Sequence, residues 1–426
     1  MDNLLIVIIS FMSAIGIFFI SHRYFNDYLA PIALYATAWF GLFGAYSLGW
    51  IAYVPVEAST WALLGSSLIG FLVGAMLPVL VAHQNRTLAK STEVDWSARV
   101  RIGSFELGIV VIAALGFLGF YAYMVTVNDL YGLETFVTNP TAIRAGQDSA
   151  EFLSRFGSFQ YILLHLNMLV AVLVGIYLSI FKRSERKLGI VLIGLFALFT
   201  TLFMLARTQF FVVVIWFFFL RLWLKPIRRF RVGTLARILL VMVILIAFFF
   251  GVAQSLGKTV LANPAISLRM PNELLPLADA YQYLTGTIPT FQAFTRDVST
   301  YTWGTNSMLP VVKLLALFIP DIAIPSEITP NYFIPFPFNA TTYLSVYYQD
   351  WGAVGVILIP SIIGFVSMRL YIRMKAKPTL WLVFLNSLIA YCLVYSVFNN
   401  RFITTYVWEF IIVGYLFIRS VSKPSP

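Results

Sequence analysis

Charge is scarce in this chain. Of its 426 residues only 11% are Asp, Glu, Lys or Arg, against about a quarter in an ordinary soluble domain. So few charges cannot cover a water-facing surface, which excludes a soluble enzyme and a charged, disordered chain. Cysteine is nearly absent as well. Cys392 is the single one and sits inside an apolar run, so no intrachain disulfide scaffold exists. No His, Cys or carboxylate grouping has metal-ligand spacing, and neither a Walker-type phosphate loop nor a G-x-S-x-G elbow occurs. Metal and nucleotide enzymes are unsupported, and no cofactor is expected.

What the chain has instead is apolar bulk: 60% of it is hydrophobic, and Phe alone occurs 39 times. A helix crossing a bilayer takes about 20 apolar residues. Eleven stretches qualify, near 3–20, 29–53, 60–82, 104–127, 158–181, 188–206, 208–224, 237–253, 352–368, 380–398 and 402–419. The fold class expected is an all-α polytopic membrane protein. The sixth and seventh stretches form one apolar run broken by Arg207 and Gln209, which predicts a tight hairpin. Leu4–Ile20 follows Asp2 rather than a basic segment and lacks a small-residue cleavage site, so it reads as a retained helix, not a signal peptide. Met308–Ile319 is too short to span and contains Lys313, which makes it an interfacial or re-entrant segment.

The net charge of +11 acquires meaning once the charges are sorted by side. With the N-terminus outside, one face collects 21 of the 29 basic residues; the other keeps Arg144, Arg155, Arg207, Lys258, Arg269, Arg296, Lys313 and Arg401. The positive-inside rule assigns the first face to the cytoplasm, predicting an outer N-terminus and a cytoplasmic C-terminus. Its basic clusters are then topology signals and anionic-lipid contacts, not a nucleic-acid surface. Two segments lie outside, a small loop at 128–158 and a large one at 254–351. The chain thus divides into helices one to eight (1–253), the large loop (254–351) and helices nine to eleven (352–426). The large loop is rich in Leu, Tyr, Phe and Trp, so it should fold. Leu274, Leu277, Tyr281 and Leu284 share one helical face after Asn272, and Thr287 with Pro289 marks a second helix. Five prolines between Pro320 and Pro337 force an irregular stretch.

On the outer side the arginines stand out. Arg207 and Arg401 begin the seventh and eleventh spans, each putting a guanidinium beside a helix N-terminus where N–H groups and the macrodipole favour an anion. Thr208 and Thr404 could add hydroxyl donors, and Arg suits bidentate phosphate recognition. The competing reading has these arginines snorkelling, or paired with Glu409 or Asp350. Arg296 follows Phe291 and Phe294 and is expected to be partly enclosed; Arg144 and Arg269 rank below it, and Arg155 reads as solvated. Tyr343 and Tyr347 stand one helical turn apart before the ninth span, where aromatic rings serve either a sugar face or the interfacial belt. Asp279, Asp350 and Glu273 are the candidate bases for deprotonating a hydroxyl, although for Asp350 the favoured reading is a cap on the helix starting near Gly352. His165 reads as a hydrogen-bonded core residue.

The run Tyr343-Leu-Ser-Val-Tyr-Tyr-Gln-Asp-Trp-Gly352-Ala-Val-Gly355 and the hairpin Leu205-Ala-Arg207-Thr208 resemble segments of the oligosaccharide repeat-unit (O-antigen, Wzy-type) polymerases. The order of elements is similar as well. The resemblance implies a glycosyltransferase of polysaccharide and lipopolysaccharide biosynthesis in the bacterial inner membrane, active toward the periplasm. It would join oligosaccharides carried on undecaprenyl-type pyrophosphates, releasing the lipid pyrophosphate, with a chain-length regulator and a flippase as partners. By the same resemblance Arg207, Arg296 and Arg401, then Arg144 and Arg269, would bind pyrophosphate. The related O-antigen ligases are expected to use a histidine in the large outer loop, and residues 254–351 contain none. A flippase or transporter would carry polar or broken segments at the midplane, whereas these spans are mostly apolar, with Glu409 the clearest deep charge.

Overall fold

The computed structural model describes residues 2–84, 94–147, 149–181, 184–203, 207–225, 266–316, 318–319, 322, 324–325 and 331–423. The main helices are α1 (Asp2–Phe25), α2 (Pro31–Ser47), α3 (Ala58–Gln84), α4 (Ile102–Tyr131), α5 (Ser158–Ile180), α6 (Lys187–Phe203), α7 (Arg207–Leu224), α8 (Ala278–Thr285), α9 (Thr287–Asp297), α10 (Leu309–Ala316), α11 (Leu344–Ala376), α12 (Leu380–Tyr395) and α13 (Thr405–Val421). Five of them, α1, α3, α4, α5 and α11, are long and apolar enough to cross a membrane; α6, α7 and α12 are shorter apolar helices. The predicted eighth stretch, 237–253, lies outside the described residues. One departure from an all-helical chain is a two-residue antiparallel ladder, β1 (Tyr332–Phe333) with β2 (Pro337–Phe338).

The chain falls into two units. Unit 1 comprises Met1–Ser91, Lys258–Pro378 and Ile389–Trp408. Within it α3 and α11 touch backbone to backbone. A Cβ added to Gly74 would lie 1.9 Å from the Ser361 carbonyl oxygen, one on Gly70 2.6 Å from that of Ile357, and one on Gly364 2.3 Å from that of Phe71. Apolar helices gain nothing from hydrophobicity against lipid tails, so close van der Waals packing between small residues carries their association. On the outward side of α1, Leu4, Leu5, Ile8, Ile9 and Met12 remain exposed, as a lipid-facing surface requires. The large loop builds its own core, in which Met270, Ala278, Tyr281, Ile334, Phe336 and Phe338 pack with Ile51.

The ninth helix begins earlier than its hydropathy indicates. Residues 344–350 are already helical, and the chain then bends at Trp351 and Gly352, where φ and ψ are +59° and −145° at the glycine. That region of backbone space is essentially closed to residues with a Cβ. The bend is so tight that a Cβ on Gly355 would lie 2.2 Å from the Tyr347 carbonyl oxygen. Gly352→Ala is accordingly expected to lower stability by about 1–3 kcal/mol, measurable as a reduced melting temperature of the detergent-solubilised protein. An unchanged melt would refute the strain argument.

Unit 2 comprises Thr92–Gly257, Thr379–Leu388 and Glu409–Pro426. Its centre is α5, the most buried of the five long spans at 72%. Gly119 of α4 meets the Leu164 backbone nitrogen at 2.4 Å from an added Cβ, and Asn167 donates to the Gly116 carbonyl at 2.8 Å. From α7, the fully buried Trp216 donates its indole N–H to Ser387 at 2.9 Å and stacks on Phe410. α6 ends at Phe203 and α7 begins at Arg207; residues 204–206, where the hairpin turn is expected, lie outside the described residues. Three short helices occupy the segment between α4 and α5, two of them capped by Asn139 and Ser149.

Candidate functional site

The loop between α12 and α13 is tied down by its backbone. Ser396 accepts the Tyr343 N–H at its carbonyl (2.9 Å) and the Trp39 indole N–H at its hydroxyl (3.1 Å). Asn400 donates to the Tyr343 carbonyl at 3.3 Å and accepts the Phe402 N–H at 3.0 Å. Arg401 follows, only 9% exposed. Its guanidinium carbon lies 4.5 Å from the centroid of the Tyr395 ring. The Nε atom is buried without a hydrogen-bond partner, and among the described residues no carboxylate pairs with this side chain.

A buried cation with no counter-ion is costly: the effective penalty is several kcal/mol, and a ring face returns roughly 0.5–2 kcal/mol of it. The site therefore favours an anion. Two more features point the same way. Thr405, the first residue of α13, has a buried hydroxyl without a partner, and the first turn of a helix offers free N–H groups and the positive end of the dipole. Thr404, the hydroxyl anticipated from sequence, is instead engaged, donating to the Arg401 carbonyl at 2.8 Å. Sequence could not separate two adjacent threonines; their roles follow from which one begins the helix. Arg401 itself lies four residues before α13 rather than at its first position.

The other anticipated residues sit elsewhere. Arg207 is the first residue of α7, and its side chain, like those of Thr208 and Arg144, lies outside the described residues. Arg296 is not enclosed. Phe291 and Phe294 turn inward from α9, while the arginine side chain is 54% exposed and pairs with Glu57 at 2.5 Å. The hydrogen bond and charge of Arg296 hold the Glu57 carboxyl below its usual range. Arg269 is exposed and donates its backbone N–H to the Trp50 carbonyl at 2.7 Å. No hydrogen bond, ion pair or ring contact among the described residues links Arg269, Arg296 and Arg401 to one another.

Tyr343 and Tyr347 are core residues, 0% and 2% exposed, so neither presents a face to a sugar. The Tyr343 and Tyr35 hydroxyls share a 2.7 Å hydrogen bond. Asp350 is wholly buried. One of its oxygens accepts from the Thr302 hydroxyl (2.5 Å) and from the Asn306 N–H and side-chain amide (both 3.2 Å). The other accepts from the Ser307 N–H (2.7 Å) and hydroxyl (2.5 Å). It lies inside α11 before the bend and binds the 302–307 turn rather than capping a helix at Gly352. Asp279 is buried in the first turn of α8. Glu273 lies in the short 3-10 helix preceding it.

In unit 2, Glu409 does have a partner. Its carboxylate lies 3.5 Å from His165 Nδ1, and both side chains are largely buried. This long-range pairing joins α5 and α13 and was not readable from the separate spans.

No family model matches the chain, and neither does any curated protein or solved structure.

Proposed function

We propose that this protein is a membrane glycosyltransferase that polymerises oligosaccharide repeat units carried on polyprenyl pyrophosphates. The observation that carries the reading is Arg401: a buried guanidinium that no carboxylate among the described residues pairs with, four positions before Thr405, whose own buried hydroxyl is unpartnered at the start of α13. Lipid pyrophosphate is an anion of the right chemistry for such a position. In the reaction a hydroxyl of one sugar attacks the anomeric carbon of another. The bond from that carbon to the pyrophosphate oxygen breaks, and the hydroxyl proton passes to a base. Arg401 would stabilise the charge developing on the leaving oxygen, an arrangement that gains strength from exclusion of water. Asp279 remains the base candidate, because all the donors around Asp350 already occupy its carboxylate. In this reading the chain crosses the bacterial inner membrane eleven times, with its N-terminus in the periplasm and its C-terminus in the cytoplasm. Chain-length regulator, flippase and bilayer are its partners.

The decisive experiment incubates the purified protein with lipid-linked repeat units and resolves the products by size. A ladder of longer glycans is the expected outcome. Transfer only to a lipid A core would replace the reading with a ligase, and translocation in liposomes without transfer would replace it with a flippase.

A further inference from the structure

We infer that a groove formed by α1, α2, α3 and the segment joining α2 to α3 is a binding site for an acidic sugar. Its volume is about 700 Å³, inside the range of roughly 300–1,000 Å³ usual for small-molecule sites. Phe43, Tyr46, Tyr53 and Trp61 line it together with Arg269 and Ile6. Tyr46 and Tyr53 stand nearly parallel, 13° apart with centroids separated by 5.9 Å, and the Trp61 ring meets Tyr46 edge-on at 5.5 Å.

The polar tips of this wall are unspent. The Tyr46 hydroxyl, the Trp61 indole N–H and the Arg269 guanidinium have no hydrogen-bond or ion-pair partner among the described residues. A ligand that satisfies them must be rich in acceptors. It must also offer an apolar face to the rings and a negative charge to the guanidinium, which binds carboxylates in a planar, bidentate fashion. A sugar ring bearing a carboxylate meets all three demands. A phospholipid headgroup would satisfy the cation but has no flat apolar face for the rings.

The groove is also preorganised, which lowers the cost of binding. An antiparallel bridge joins Ile51 to Leu268. Gln292 donates to the Pro55 carbonyl at 3.0 Å, Tyr281 donates to that of Ala45 at 2.9 Å, and the Tyr53 hydroxyl lies 2.8 Å from that of Thr285. The large loop thus holds the α2–α3 segment in shape.

The inference deepens the glycosyltransferase reading, on which the biological source of the sugar rests, but it is tested without any transfer step. Full-length protein in detergent is titrated calorimetrically with trigalacturonate and with maltotriose. Saturable binding of trigalacturonate is expected. Arg269→Gln should weaken it roughly tenfold, as for one lost charge-assisted contact, and leave maltotriose unaffected; Trp61→Ala should weaken both. Because Arg269 is exposed, its variant reports on binding even where the tryptophan variant fails to fold. Absence of saturable binding, or binding indifferent to Arg269→Gln, overturns the assignment. So does a preference for phosphatidylglycerol over phosphatidylcholine nanodiscs that Arg269→Gln removes while neither sugar binds. Failure of this titration leaves the ladder experiment untouched, and the reverse holds too.

Discussion

Arg401→Met is expected to abolish polymer formation and, at the same time, to leave the protein as stable as before or more so. The two halves of this expectation share one cause. A guanidinium that is 9% exposed and that no carboxylate among the described residues pairs with carries a desolvation cost, which an apolar side chain of similar length removes. The same guanidinium is what a pyrophosphate would need. Removing one preorganised donor from a developing oxyanion costs about 10²–10³ in rate, and the loss should be at least that large for a full charge. Arg401→Lys keeps the charge but loses the planar fork and the contact with Tyr395, so it should not restore the rate. The test compares glycan ladders and melting temperatures for the three proteins. Full-length polymer from Arg401→Met would remove this residue from the mechanism.

Asp350→Ala is expected to act in the opposite way, on the fold first. The substitution strands two backbone N–H groups and two hydroxyls of residues 302–307 that now converge on one carboxylate. Each buried donor left without a partner costs about 1–3 kcal/mol. Some recover by relaxation, so a net loss of about 3–5 kcal/mol is expected, enough to open the turn to proteolysis. Asp350→Asn should fall between, since it retains one acceptor oxygen. Limited proteolysis across 298–308 with a thermal melt distinguishes this from catalysis. Wild-type stability in Asp350→Asn combined with lost activity would return the residue to the role of base.

These cases show where sequence was informative. Hydropathy marked helical stretches well, because lipid leaves little choice but to bury every backbone polar group within a helix. It missed the true start of α11, because residues 344–350 are too polar to register as a span and Gly352 permits a bend that periodicity does not report. The aromatic pair Tyr343 and Tyr347 was noticed, yet which side of a helix faces the core depends on its neighbours; here Tyr35 of α2 claims Tyr343. Arg296 was ranked by its apolar neighbours in sequence, while its partner Glu57 stands 239 positions away. Arg401 stands out in the sequence by its place before a span, whereas its isolation from every carboxylate among the described residues is visible only in three dimensions.

The glycine seam between α3 and α11 bears on how unit 1 can move. With Gly70, Gly74 and Gly364 each facing a carbonyl oxygen of the other helix, backbone meets backbone at these positions with no side chain between. Parting the two helices there costs that contact directly, since no side chain can re-pack to bridge the gap. Any gate in unit 1, whether for a lipid-borne substrate or for a departing carrier, has to open along another line.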